Sequence, residues 1–394
     1  MAIIFYGGDK MKMPLIGRTA RSLTLAASLL AAIPVGCSTI RQVPLLSLLS
    51  TSPGKEISFG SVTFNSSKPI TGEKEKILQI HKIVSGLNSL IPSRPLAKII
   101  LETGCECRYL SEYHAIIINI NSPNLFASSA HEMGHAIFRV FTENKTLTEQ
   151  DLALWSKIYA HSLSVEGSVV KDSDYTGEKK AGHPKDDESE LFASAIMAYI
   201  LYGDRLIGFH SSENERVRQS TEYIFVFLRE KVFKGRTFSL TDPYRNISID
   251  GITRELNSGL LYLTSLSEAL DNPEYDIRFF AARYINSNFD QLIKETSQDP
   301  RFIPLIIKSS SIVDYGKAYE HCHNLAKMDG GKISDQLIGA LDNKNPEVRS
   351  TAVYFIGESN LKDPRFKIAL FKALNDTNPE VQKKAAEAIH KLGY

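Results

Sequence analysis

The sequence predicts an α+β domain followed by an all-α solenoid of repeats, and three observations predict it. β-Branched runs at 96–102 and 115–120 lie among amphipathic helical patterns in the segment 73–240. In the segment 255–394, a short helical pattern recurs in three gapless copies. The chain has 394 residues, which is more than one core usually organises, so two folded domains are expected.

The composition is that of a globular protein of balanced charge. Apolar residues make up 43% of the chain and charged residues 23%. The 46 basic and 45 acidic side chains leave a formal net charge of +1. Because a nucleic-acid partner would usually require a basic patch or stripe, no nucleic-acid partner is expected. The sequence also has no Gly-rich phosphate loop, which argues against a nucleotide enzyme.

The first 37 residues have the pattern of an export signal. A basic lead-in is followed by the uncharged run "SLTLAASLLAAIPVGC" at 22–37. The end of this run resembles the bacterial lipobox, although Pro34 stands where leucine is usual; the resemblance implies lipidation of Cys37. An uncleaved membrane anchor is the alternative, since the uncharged stretch continues to Ile40 and is then barely long enough to span a bilayer. We therefore expect a lipid-anchored or membrane-tethered protein of the cell envelope, with secretion as the alternative.

The first domain is predicted to run from 73 to 240, after a Ser-, Pro- and Gly-bearing tether at 38–72. Helical spacing of isoleucines predicts a helix over 73–90. The two β-branched runs then predict strands, and a Ser-Pro pair starts a helix over 122–141.

Three more helices are predicted, around 149–163, 188–206 and 213–233. His161, on the first of them, is isolated and is expected to be a surface or internally hydrogen-bonded histidine. A boundary follows near 234–251.

The C-terminal segment repeats itself at 269–285, 340–356 and 373–389. The matching positions are Ile277, Val348 and Val381; Ala281, Ala352 and Ala385; Ile285, Ile356 and Ile389. The pattern resembles HEAT repeats, with room for one degenerate copy near 304–328. The resemblance implies paired short helices that stack into a solenoid and offer a surface to a protein partner. The "HCH" at 321–323 falls inside this region, where neighbouring helical residues point in different directions, so no metal site is expected there.

The stretch "SSAHEMGHAIFR" at 128–139 contains the candidate metal-binding and catalytic residues. His131 and His135 are one helical turn apart and share a face, so both imidazoles can bind one zinc ion. Glu132 is placed to act as a general base toward water. Gly134 allows another chain segment to approach closely.

This motif after a strand resembles the zincin metallopeptidases, in which H-E-x-x-H binds zinc. The resemblance implies Zn²⁺ as cofactor, a peptide or protein as substrate, and a strand, here 113–120, that lines the cleft and holds an extended peptide by edge pairing. The longer metzincin motif is excluded, because Phe138 and Phe141 stand where it requires Gly and His.

The gluzincin branch of these enzymes takes a third ligand, a glutamate, from a later helix. In several families that glutamate stands shortly before Phe-Ala, and "ESELFASAI" offers Glu190 on this resemblance. The rival ligands are Glu188, Asp187 and Asp186. Ser194 occupies the place one turn later where an acid often orients a ligand histidine. The oxyanion donor is left open between Tyr175 and His183.

These observations predict a zinc-dependent, gluzincin-like metallopeptidase with a C-terminal HEAT-like solenoid. Its metal ligands would be His131, His135 and Glu190, and its catalytic base Glu132. A weaker enzymatic alternative is hydrolysis of a cell-wall amide. From another class, the alternative is a non-catalytic HEAT-repeat scaffold in which the metal helix is structural or degenerate.

Overall fold

A computed structural model of the chain describes most residues from 56 onward. The predicted leader 1–37, including Cys37, lies outside the described residues. The described ranges are 56–59, 61–66, 74–96, 98–103, 107–122, 125–165, 183–201, 203, 212, 214–237, 242–258, 261–296, 302–312, 330–359 and 361–394. Within them the protein is mostly helical, with one small sheet.

The described strands form a five-stranded sheet in the order β1-β2-β3-β5-β4. Their bounds are β1 Glu56–Phe59, β2 Val62–Ser66, β3 Lys98–Glu102, β4 Arg108–Leu110 and β5 Ala115–Asn119. β2, β3 and β5 are parallel, and β1 and β4 pair antiparallel at the two edges. The first four residues of β5 are buried on both faces, as expected for a central strand covered by helices.

The sheet differs from the prediction at three places. β1 and β2 lie inside the segment 38–72, so its last part belongs to the sheet and is not a tether. β4 lies between the two predicted strands, where no strand was expected. β5 is not an edge strand, because β3 and β4 pair with its two sides. Along Ala115–Ile117 both sides of β5 are therefore occupied, so the predicted edge pairing with a peptide is not available there, and β4 is the edge strand on that side.

Helices cover the sheet and continue the chain beyond it. They are α1 Lys74–Asn88, α2 Leu125–Glu143, α3 Glu149–Leu163, a helical turn His183–Asp186, α4 Glu188–Leu201, and α5 Glu215–Phe227, which is extended by a π-helical segment Leu228–Val232. The predicted helix 149–163 coincides with α3. Thr148 starts α3 because its hydroxyl accepts the amide of Asp151, whose side chain in turn accepts the amide of Thr148.

The C-terminal region is entirely helical in its described residues. The helices are α6 Ile249–Asn257, α7 Leu261–Leu270, α8 Tyr275–Ser287, α9 Phe289–Thr296, α10 Phe302–Ile312, α11 Gly330–Ala340, α12 Pro346–Glu358, α13 Arg365–Ala373 and α14 Pro379–Leu392. The three gapless copies correspond to the pairs α7–α8, α11–α12 and α13–α14. Eight of the nine matched apolar positions are buried, and Ile389 is half-buried.

One polar position repeats with the same bond in each copy. A side chain near the start of the second helix donates to the carbonyl oxygen six residues earlier, which closes the loop between the paired helices. The bonds are Arg278 to Asn272 at 2.7 Å, Arg349 to Asn343 at 2.8 Å, and Gln382 to Asp376 at 2.5 Å. The third copy therefore keeps the contact although glutamine replaces arginine.

A contiguous cluster of buried apolar side chains extends from the sheet into the repeats. The first repeat continues this core, since α7 and α8 both pack against α3. In the part of the chain that the structure describes, no helix is both long and apolar enough to cross a bilayer.

Candidate metal centre

The close packing of α2 against α4 builds the site. A Cβ atom added to Gly134 would lie 2.5 Å from the Cα of Ala193 and 3.0 Å from its carbonyl oxygen. Glycine is therefore required at 134 for the two backbones to touch. This contact brings the histidine pair of α2 opposite the first turn of α4.

Three ligand-type atoms meet at this helix pair. The Oε2 atom of Glu190 lies 3.2 Å from Nε2 of His131 and 3.4 Å from Nε2 of His135. The two Nε2 atoms are 3.2 Å apart. Among the described residues, this is the one group of three such side chains whose ligand atoms converge. The side chains of His131, His135 and Glu190 are 12%, 14% and 22% exposed, whereas the Oε2 atom of Glu190 is itself buried.

Helix α4 also contacts the far side of both imidazoles. Nδ1 of His135 lies 2.9 Å from Oγ of Ser189, and Nδ1 of His131 lies 3.3 Å from Oγ of Ser194. When each Nδ1–H donates to its serine, both Nε2 lone pairs point toward Glu190. The hydroxyl of Ser194, which stands where related sites often have an acid, thus contacts His131.

Ser189 was not anticipated from the sequence. It precedes Glu190 directly and has no spacing that distinguishes it from other serines on helices. Only the rotation of α4 against α2 makes it a partner of His135. A single helix therefore supplies one carboxylate and both hydroxyl partners.

The rival acids have other roles in the structure. Oδ1 of Asp187 accepts the backbone amides of Ser189 and Glu190, both at 2.9 Å, and so caps α4. Oε1 of Glu188 accepts the hydroxyl of Ser156 at 2.7 Å. Burial raises the pKa of the Glu188 carboxyl, against the lowering effect of this hydrogen bond. Neither these two acids nor Asp186 belongs to the converging group.

Glu132 lies on α2 directly after His131 and is 6% exposed. Its side chain leaves the helix about 100° around the axis from that of His131. It is thus a largely buried acidic side chain on the same helix as the two histidines.

The remaining histidine and tyrosine predictions have different outcomes. Tyr175 and the "HCH" stretch at 321–323 lie outside the described residues, as does the side chain of His183. His161 is fully buried, and its Nδ1 atom lies 2.8 Å from Oγ of Ser265. Burial lowers the pKa of His161 to about 4, and nearby Arg216 adds to the effect. It is therefore a neutral core histidine rather than a surface one.

Comparison with known proteins identifies the C-terminal part alone. A family model of HEAT repeats matches residues 322–394. No curated protein matches the chain. The predicted HEAT repeats are therefore confirmed in that segment.

Proposed function

We propose that this protein is a zinc-dependent metallopeptidase. His131, His135 and Glu190 would hold the metal, and Glu132 would act as general base. The observation that carries the proposal is the triangle of two imidazole nitrogens and one carboxylate oxygen, with sides of 3.2, 3.2 and 3.4 Å.

The triangle has the size that zinc requires. Tetrahedral zinc with bonds of about 2.0–2.1 Å places its ligand atoms roughly 3.3–3.4 Å apart. Nitrogen and oxygen donors are ligands that zinc accepts, and three protein ligands leave a fourth position open, as in catalytic sites. The two serine hydroxyls behind the imidazoles also favour metal binding, because they fix the ring orientations.

Bound zinc would polarise the scissile carbonyl and make an attacking water more acidic. Glu132 accepts the proton of that water and returns it to the nitrogen of the leaving amine. The low exposure of Glu132 limits competition from bulk water and so strengthens its interaction with the transferred proton. His131, His135 and Glu190 keep their positions throughout, because the backbones of α2 and α4 are in contact beneath them.

Replacement of Glu132 by glutamine tests this proposal directly. The substitution keeps the shape of the side chain and removes its basicity. We expect zinc content to remain at about one ion per chain and hydrolysis of unfolded protein substrates to fall roughly 10²- to 10⁴-fold. Glu143→Gln, on the same helix and 40% exposed, is the matched control and should retain activity. Wild-type rates in Glu132→Gln would disprove the mechanism.

The HEAT match at 322–394 favours a second candidate function, a non-catalytic scaffold whose repeats bind a protein partner. Zinc analysis of the purified full-length chain separates the two. The peptidase proposal expects stoichiometric zinc that is lost in Glu190→Gln and kept in Glu188→Gln. A chain without zinc that still binds a partner through its repeats would support the scaffold.

We also propose that the protein is exported and anchored to the cell envelope through lipid on Cys37. The support is the basic and uncharged leader with its lipobox-like end. Fractionation of cells expressing the wild-type chain and Cys37→Ser tests this. If both chains are soluble, or both remain equally in the membrane fraction, the lipid anchor is excluded.

A further inference from the structure

Helix α3 lies between the ligand helix and the first repeat. On one side, Trp155 Nε1 donates to the carbonyl oxygen of Glu188 at 3.0 Å, and the Tyr159 hydroxyl donates to that of Lys185 at 2.6 Å. On the other side, α7 and α8 pack along the helix. The segment that leads into Glu190 is therefore supported by a helix that the repeats support in turn.

One residue of the first repeat reaches through to the ligand helix. The hydroxyl of Tyr284, on α8, lies 3.1 Å from Oγ of Ser156 on α3. The same Oγ lies 2.7 Å from Oε1 of Glu188 on α4. Tyr284 is 6% exposed and Ser156 is 7% exposed, so water cannot easily replace either partner.

The Ser156 hydroxyl lies between these two partners and donates toward both of them, to the Glu188 carboxylate at 2.7 Å and to the Tyr284 hydroxyl oxygen at 3.1 Å. The two contacts together set the rotation of the serine side chain. Tyr284 therefore helps to hold the serine that contacts the Glu188 carboxylate.

The anchored carboxylate is two residues before the metal ligand. Asp187, directly before Glu188, accepts the backbone amides of Ser189 and Glu190. If the backbone at Glu188 moves, Ser189 and Glu190 in the same helical turn move with it. Ser189 is the hydrogen-bond partner of His135, so this movement also affects that histidine. Small displacements matter there, because the ligand atoms must stay within about 0.2 Å of their required distances.

We propose that Tyr284 of the first repeat is a positioning residue for the metal centre, acting through Ser156 and Glu188. The inference rests on the proposed function and deepens it. The repeats are then part of the support of the site rather than a separate binding module. Loss of the Tyr284 hydroxyl loosens the first turn of α4 and weakens metal binding without touching a ligand.

Tyr284→Phe in the full-length chain tests the inference, because it removes the hydroxyl and keeps the ring. The matched control is Ser265→Ala, which removes another buried hydroxyl between α3 and the first repeat, the one that meets His161. Zinc affinity is measured by competition with a chromophoric chelator, and amide hydrogen exchange of 185–190 is measured in the metal-free chain.

We expect Tyr284→Phe to lower zinc affinity about threefold to tenfold, less than the roughly 10- to 100-fold cost of losing a direct ligand partner. Exchange at 185–190 should become faster in the same variant. Ser265→Ala should leave both readouts unchanged. Should Tyr284→Phe fail to fold, Ser156→Ala carries the same comparison.

Three outcomes overturn the inference. Unchanged zinc affinity and unchanged exchange in Tyr284→Phe, with normal binding by the wild type, overturn it and leave the proposed function standing. Equal changes in Tyr284→Phe and Ser265→Ala show general loosening and also overturn it. If the wild-type chain binds no zinc, the proposed function fails, and the inference fails with it.

Discussion

Two helix pairs of this protein pack through a glycine, but they leave different amounts of space for a methyl group at that glycine. At the candidate metal centre, a Cβ on Gly134 would meet the backbone of Ala193 at 2.5 Å. In the repeats, a Cβ on Gly357 of α12 would meet the Cβ of Ala388 on α14 at 3.0 Å and its Cα at 3.3 Å. Both pairs place a glycine against an alanine, but only the first has no room for a methyl group. We relate this difference to the roles of the two pairs, since α2 and α4 position polar side chains whereas α12 and α14 bury apolar ones.

A metal held by His131, His135 and Glu190 would require their ligand atoms to be fixed to within a few tenths of an ångström, whereas the repeats need only bury an apolar face. In the repeats, register is held by ion pairs that cross from one repeat to the next. Arg349 binds both carboxylate oxygens of Asp376 at 2.7 Å. Such a pair tolerates a slight shift of one helix, since both side chains can follow. Two imidazoles and one carboxylate that converge on one point cannot all adjust to such a helix shift and keep their mutual distances.

Gly134→Ala is expected to give the largest effect. The added methyl group must push α4 away from α2, and overpacking of this kind costs about 1–3 kcal/mol or more, which exceeds the gain of about 1 kcal/mol in helix propensity. Because α4 carries Glu190 and both serine partners, zinc affinity should fall by at least roughly 10-fold. Urea unfolding and zinc titration measure the two effects. Wild-type affinity in this variant would show that the helix contact does not set the ligand distances.

Asp376→Asn should have an intermediate effect, confined to the repeats. Its hydrogen bonds to Arg349 hold the pKa of the Asp376 carboxyl below its ordinary value. The stabilisation is therefore complete above the unfolded pKa of about 3.9 and disappears as the pH falls through the lowered folded pKa. At pH 7, loss of this charge-assisted pair should cost about 1.5–3 kcal/mol.

The pH dependence provides the control for this prediction. The difference in free energy of unfolding between the wild type and Asp376→Asn should shrink as the pH falls below about 4, because the wild-type carboxyl then becomes protonated. A difference that stays constant down to acid would mean that the asparagine side chain fits poorly, and the ion pair would not be the cause. Zinc affinity at neutral pH should not change.

The sequence predicted the helices and the repeats better than the sheet. Helix α3 was predicted at its observed bounds, since its capping residues and apolar spacing are local signals. β1 and β2 were missed because each is only four or five residues long, and because β2 joins the rest of the sheet through a long-range pairing with β3. The position of β5 inside the sheet was missed for the same reason, as the three-residue β4 gave no strand pattern.

The site could be predicted as far as its motif extends. The spacing of His131 and His135 placed both on one helix face, and the resemblance to gluzincins indicated Glu190 rather than its rival acids. The partner of His135 had no sequence signal, because it depends on how α4 rotates against α2. Tyr284 is beyond any local pattern, since it acts from 128 residues away along the chain through Ser156.

Gly357→Ala should change the free energy of unfolding least, and it is the direct counterpart of Gly134→Ala in the other helix pair. The added methyl group meets another methyl group, so α12 and α14 need to separate by only a few tenths of an ångström. That cost is offset by the roughly 1 kcal/mol that alanine gains over glycine inside a helix. We expect a change in the free energy of unfolding within about 1 kcal/mol of zero and unchanged zinc affinity. Thermal or urea unfolding measures it beside Gly134→Ala. Similar destabilisation by both substitutions would mean that the two helix pairs are equally rigid, and the metal centre would then need no tighter packing than a repeat does.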